Sequence, residues 1–220
     1  MSDRGTSVYL PTRYRESDLG RLDELLAHDP FITLITAAGS ALPQVTHLPV
    51  LYRRDGDTVR LEGHWARANP QCRASGQALA IVHGPHSYIS PRWYLQPQDH
   101  VPTWNYAVAH LSGPLRTFED ADALQDLVTR LASRFEPPPP SGWQAETQHP
   151  EFRRDLRGIV GFDMVVERVD LKFKLNQHYP AGDRRGVVHG LRGQADADAR
   201  HIADWMQARL DEEGGPSDDS

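Results

Sequence analysis

Between positions 31 and 115 the chain is written in short β-prone runs, and this spacing constrains the fold more than any other feature. Residues 31–37 (FITLITA), 44–52 (QVTHLPVLY), 58–64 (TVRLEGH), 78–83 (ALAIVH) and 106–115 are rich in β-branched and aromatic side chains. Gly, Pro or the Asp55-Gly56 pair separates them, so each reads as a strand bounded by turns. Short strands this close together predict an antiparallel barrel or sandwich. A parallel sheet would need a helix between successive strands.

Helical patterns flank the strand region. Ser17 is placed to cap a helix over 18–28, where Leu19, Leu22, Leu25 and Leu26 share a face and Pro30 prevents continuation. A capping pattern at 117–120 opens a second helix, carried by Leu124, Leu127, Val128, Leu131 and Phe135 to about Glu136. Residues 137–140 are all proline, which ends that helix and makes a stiff connector. Strand character returns over 159–175. A last helix is expected over 195–210, with Ala199, Ile202, Ala203 and Met206 inward. Residues 1–15 read as an extended lead-in, with Tyr9 and Pro11 packed on the body, and 212–220 (EEGGPSDDS) as a disordered acidic tail. The expectation is one α+β domain over 1–211 with a β-barrel centre.

At 220 residues the chain can bury one sizeable core. Its net charge of −6 and the lack of any dense Lys/Arg run argue against direct nucleic-acid binding, which needs a basic face. Cys72 is the single cysteine, excluding intrachain disulfides and Cys-rich metal sites. No segment approaches the roughly 20 apolar residues of a membrane-spanning helix, so a cytoplasmic location without membrane contact is expected.

Four clusters carry candidate chemistry. In 63–71 (GHWARANPQ) a strand ends in His64, with Arg67 and Asn69 close behind. A neutral imidazole there is able to ligate a metal or haem iron, and the guanidinium to pair with a phosphate or propionate. Equally, His64 can be a satisfied turn histidine and Arg67 a solvated cation. The second and third clusters, 84–94 (GPHSYISPRWY) and 101–106 (VPTWNY) with His110 beyond, gather aromatic, hydroxyl and amide groups suited to a flat ring with polar edges. Rim or interface packing would use the same residues. The fourth cluster is KFKLNQ (172–177) followed by Asp183, Arg184, Arg185 and Gly186. Lys172 and Lys174 share one strand face and, with Arg184, could hold a phosphate, a propionate or a substrate carboxylate. Lysines on an edge strand also guard against aggregation. The chain has no phosphate loop, G-x-S-x-G, H-E-x-x-H or paired His/Cys spacing, so nucleotide hydrolysis, serine hydrolysis and zinc chemistry lack support.

Taken in order, Tyr9-Leu10-Pro11, His28-Asp29-Pro30-Phe31, His47-Leu48-Pro49, GHWARANPQ, GPHSYISPRWY, VPTWNYAVAH, IVGFDMVVE and KFKLNQ…DRRGVVHGL resemble the PaiB-like family over nearly the whole chain. The resemblance implies an FMN-binding split β-barrel with flanking helices and a homodimer with cofactor sites at the subunit interface; members are often described as negative transcriptional regulators. One branch is similar to the haem-dependent piperazate synthases, which close N5-hydroxyornithine by forming an N–N bond. On that resemblance His64 is the axial ligand of haem b, and the partner is a small amino-acid substrate. Arg67, Asn69, Trp104, Lys174 and Arg184 would surround the cofactor, and Tyr106, His110 and Lys172 would serve the chemistry. Asn176-Gln177-His178, where regulators usually read Ser-Gln-Asn, and Cys72, where Trp is usual, are departures in that direction. The alternatives are an FMN protein, as regulator or flavin oxidoreductase, and a regulator acting through a protein partner.

Overall fold

The computed structural model describes residues 8–37 and 42–214. In chain order the strands are β1 (Arg15–Glu16), β2 (Phe31–Thr36), β3 (Gln44–Pro49), β4 (Leu51–Asp55), β5 (Thr58–Ala66), β6 (Gly76–Ile89), β7 (Thr103–Phe118), β8 (Ile159–Val166) and β9 (Arg168–Lys174). The helices are α1 (Leu19–His28), α2 (Ala121–Phe135), α3 (Pro150–Leu156), α4 (Ala181–Arg192) and α5 (Ala197–Gly214). The chain gathers into two compact units. One takes residues 18–82 and 110–169, the other 1–17, 83–109 and 170–220. None of the described helices is long and apolar enough to cross a membrane.

In the first unit the sheet order is β3-β2-β6-β7-β8-β5-β4. The β2–β3, β2–β6, β4–β5, β5–β8 and β7–β8 pairings are all antiparallel. The period-2 pattern does the sorting: in β5, Val59, Leu61, Gly63 and Trp65 point inward while Arg60, Glu62 and His64 take the other face. Trp65 and Phe162 meet in the core with ring centroids 4.6 Å apart and a tilt of 41°. Gly63 is the gap this needs, because a Cβ there would stand 2.7 Å from the Phe162 ring. Helix α1 buries Leu22, Leu25 and Leu26. Its cap is Asp18, whose carboxylate accepts from the Gly20 amide at 2.8 Å, so the start lies one residue later than Ser17 predicts. Helix α2 is capped by Asp120, whose carboxylate accepts from the Ala123 amide at 2.9 Å. This is three residues later than the Thr117 cap of the 117–120 pattern, because Thr117 is still in β7.

The second unit holds β1 paired with β9, the outer halves of β6 and β7, and the helices α4 and α5. Helix α4 lies between the expected elements, and Gly182, Gly186 and Gly190 fall within it. They recur at i, i+4 and i+8, and so share one face. That face is packed against residues 93–95. A Cβ at 186 would lie 2.0 Å from the Trp93 carbonyl, and one at 182 would lie 2.8 Å from Leu95. Helix α5 buries Ala199, Ile202, Ala203 and Met206 as expected, with Trp205 and Leu210 added. It runs to Gly214, past the boundary expected at 211; positions 215–220 of the expected tail lie outside the described residues.

Candidate functional site

His64 stands near the end of β5, opposite Gly161 of β8. Gly161 is also opposite Phe118 of β7, and a Cβ on it would come within 2.4 Å of the Phe118 ring. The missing side chain at 161 therefore admits an aromatic ring onto the sheet face that carries His64. The imidazole is half-buried, and its Nδ1 is enclosed with no hydrogen-bond partner among the described residues. Burial pushes its pKa below the usual 6.5, so the ring is neutral at physiological pH. A neutral imidazole with an unsatisfied ring nitrogen is a competent donor to a metal. Among the described residues no three His, Cys, Asp or Glu side chains converge to hold an ion. A lone imidazole of this kind suits a metal that brings its other ligands with it.

Arg67 and Asn69 follow the strand and act on its loop. Arg67 donates from Nε to the Arg157 carbonyl at 2.7 Å, from one terminal nitrogen to the Ile159 carbonyl at 3.2 Å and from the other to Glu119 at 2.7 Å. Asn69 accepts from the Gln71 amide at 2.9 Å and donates to Thr46 Oγ1 at 2.8 Å. Both side chains hold the end of β5 in place. A cavity of about 290 Å³ opens beside Arg67, lined also by Glu119, Asp122, Arg153 and Arg157. His110 occupies β7, on the face of that strand shared by Tyr106 and Val108, and it is not free of partners.

The other unit contains its own polar cluster. Lys172 is buried, with its ammonium 5.2 Å from the centre of the Tyr106 ring and 5.5 Å from that of Tyr9. Lys174 donates to Thr103 Oγ1 at 2.5 Å and to the Trp104 carbonyl at 2.6 Å. Burial, and then the charge of Lys172, push its pKa down. Trp104 is exposed, with His86 and Tyr88 each 6.1 Å away between ring centroids. Thus Lys172, Lys174, Trp104 and Tyr106 are neighbours. Arg184 is on α4, buried and ion-paired with Glu213 of α5.

One cluster was not anticipated as a unit. Tyr94 stacks on Tyr179 at 5.0 Å and 8°, and His100 approaches both rings. Asn176 donates to the Tyr94 hydroxyl at 2.8 Å, and Asp183 accepts from the Leu95 amide at 2.8 Å. The sequence shows these residues as separate motifs; nothing in it signals that positions 94, 100 and 179 meet.

A family profile described as "Putative FMN-binding domain" matches residues 8–168. The protease synthase and sporulation protein PAI 2 of Bacillus subtilis (strain 168) is 29% identical over 207 residues, covering 92% of this chain and 98% of its own. Two solved structures share the fold. The FAD and haem binding protein of Mycobacterium smegmatis has a TM-score of 0.55 at 20% identity, over 73% of each chain. The flavocytochrome Anf3 of Azotobacter vinelandii has a TM-score of 0.58 at 16% identity, over 78% of this chain and 74% of that one. The fold is thus the α+β split-barrel class that the sequence led us to expect.

Proposed function

Because the chain belongs to this FMN-binding domain family, we propose that it is a cofactor-dependent enzyme that holds haem b through His64 and closes an N-hydroxylated diamino acid by forming an N–N bond. The observation that carries the reading is the enclosed, partnerless Nδ1 of a His64 ring kept neutral by burial. When bound, the haem iron supplies a Lewis acid that weakens the N–O bond of a hydroxylamine. In N5-hydroxyornithine the α-amine nitrogen bonds to N5, the N–O bond breaks, and the hydroxyl leaves with a proton as water. The product is piperazate, with no net oxidation.

The chain's own groups prepare this step. His64 offers its lone pair without first losing a proton. Arg67 and Asn69, through their bonds to 157, 159 and Thr46, fix the loop that follows the ligand strand. Tyr106 and His110, on one face of β7, carry the proton transfers. Within the second unit, Lys174 carries a charge and Trp104 an exposed ring face. Arg184 is held on α4 by its ion pair with Glu213.

The test is the visible spectrum of protein purified after expression with a haem precursor, read alongside His64→Ala. A Soret band lost in the variant, together with piperazate released from N5-hydroxyornithine by wild type only, is the expected result. Full haem loading and turnover in His64→Ala would overturn the ligand assignment. A second reading, an FMN protein, is supported by the family match itself. It predicts the two-band flavin spectrum, bleached by a reduced nicotinamide.

A further inference from the structure

Strand β9 buries an ammonium that no carboxylate bonds among the described residues. Lys172 is 6% exposed. Among the described residues its Nζ makes one hydrogen bond, 3.0 Å to the carbonyl oxygen of Tyr9, and is faced by the rings of Tyr9 and Tyr106. No carboxylate bonds it among those residues; Asp170, two positions earlier on the same face, is buried as well. Removing an ammonium from water costs more than two ring faces and one neutral carbonyl return. Lys174, on the same strand face, adds a second positive charge to the same surface. The group that covers Lys172 is itself weakly seated, because Tyr9 is 82% exposed.

We propose that Lys172 is an oxyanion-binding residue: a carboxylate or phosphate oxygen of a small ligand replaces the Tyr9 carbonyl on its ammonium, and the Tyr9 segment moves aside to admit it. Lys174 strengthens the attraction while staying anchored to Thr103 and Trp104. The two tyrosine rings hold the ammonium in place before the ligand arrives, so its side chain is already ordered. The site stands independently of the iron ligand, and its tests need no haem.

Thermal unfolding of the full chain as purified is followed against added sodium phosphate and, separately, L-ornithine, with chloride holding ionic strength constant. A ligand that binds only the folded state raises the melting temperature with the logarithm of its concentration. Wild type should show this rise with one of the two probes. A response to ornithine alone assigns an amino-acid carboxylate, and a response to phosphate alone assigns a phosphate. Lys172→Met should melt higher than wild type without ligand, because an uncompensated buried charge is gone, and should lose at least tenfold in apparent affinity. A wild type that responds to neither probe beyond chloride, or a Lys172→Met that keeps the full response, overturns the proposal. Should that variant fail to fold, wild type alone decides. Hydrogen exchange at residues 8–14 should speed up as the oxyanion displaces Tyr9, and unchanged protection at saturating probe would refute the displacement.

Discussion

Gly190 and Trp93 leave no room for a methyl group between them: a Cβ at 190 would stand 2.3 Å from the indole ring. Helix α4 thus presents a groove cut by its glycines, and residues 93–95 lie in it. At Gly186 an added Cβ would meet backbone rather than side chain, 2.0 Å from the Trp93 carbonyl oxygen. The segment between β6 and β7 owes its path to these two positions.

Helix propensity alone says that Gly190→Ala should stabilise the protein by about 1 kcal/mol. Packing says the reverse, since overfilling a close-packed contact costs about 1–3 kcal/mol. The clash is severe enough that packing wins. Urea unfolding should show Gly190→Ala and Gly186→Ala both destabilised, with Gly186→Ala the worse because a carbonyl cannot rotate away. Gly214→Ala, with nothing within 4 Å of the added carbon, is the control and should change stability by less than about 0.5 kcal/mol.

The same glycines explain what the sequence does and does not reveal. Strands β2 and β5 were readable because each is a compact run bounded by turn residues. Gly84-Pro85 looks like a break, yet β6 continues through it to Ile89, and β7 runs past the expected 115 to Phe118. Pro85 is buried, and Gly113 lies so close to the Val165 carbonyl that a Cβ would stand 2.1 Å away. Glu167 divides the expected 159–175 strand into β8 and β9, a division that no turn residue announces. Helix α4 was hidden because its glycines act through what they pack against. At the candidate site, the strand position of His64 was legible, but its orphaned nitrogen depends on what encloses it. The bond between Lys172 and Tyr9 joins residues 163 positions apart, beyond the reach of any local pattern.

Two histidines should make stability pH-dependent in one direction. Burial lowers the pKa of His64, and burial with the nearby charges of Arg13 and Lys174 lowers that of His178, each from the usual 6.5. The unfolded chain therefore binds these protons more tightly than the folded one. Their contribution is fully present above pH about 6.5 and is lost as pH falls from there toward the folded values. The urea midpoint should decline between about pH 7 and pH 5. His64→Leu and His178→Leu should each flatten that decline. The depressed carboxylates Asp23 and Glu213 act below this window, since their ordinary values are 3.8 and 4.5. A midpoint that rises on acidification, or is flat in wild type, would contradict the assignment.

Asp23 joins α1 to β4. It accepts from the Tyr52 hydroxyl at 2.6 Å and from Arg54 Nε at 2.9 Å. The Arg54 hydrogen bond is the main influence holding its carboxyl below the usual value, and Tyr52 adds to it against burial. Tyr52→Phe removes one bond to a charged acceptor in a half-buried setting and should cost about 1 kcal/mol at neutral pH. Because the folded pKa of Asp23 is depressed, its contribution is present above 3.8 and lost as pH falls through the lower folded value. The Tyr52→Phe deficit should therefore shrink in strong acid. Chemical denaturation of both proteins at neutral and acidic pH checks it.

Asn176 combines a backbone requirement with a side-chain role, and substitutions can separate the two. Its φ of 59° lies in the left-handed region, which asparagine tolerates better than most residues and glycine best of all. Its amide donates to the buried Tyr94 hydroxyl. Burial is the main cause that raises Tyr94 to about 12, and the Asn176 bond opposes that rise. Asn176→Gly loses the bond but keeps an easy backbone; Asn176→Ala loses the bond and adds left-handed strain of about 1–2 kcal/mol. Alanine should therefore be the less stable of the two by roughly that amount. The gap should persist in a Tyr94→Phe background, because the strain does not involve the hydroxyl. If alanine and glycine are equally stable in both backgrounds, the left-handed backbone costs alanine nothing, and the hydrogen bond rather than the backbone is what selects asparagine at this position. An ultraviolet titration supplies the complementary reading: without the Asn176 donor, Tyr94 should ionise at higher pH in Asn176→Gly than in wild type.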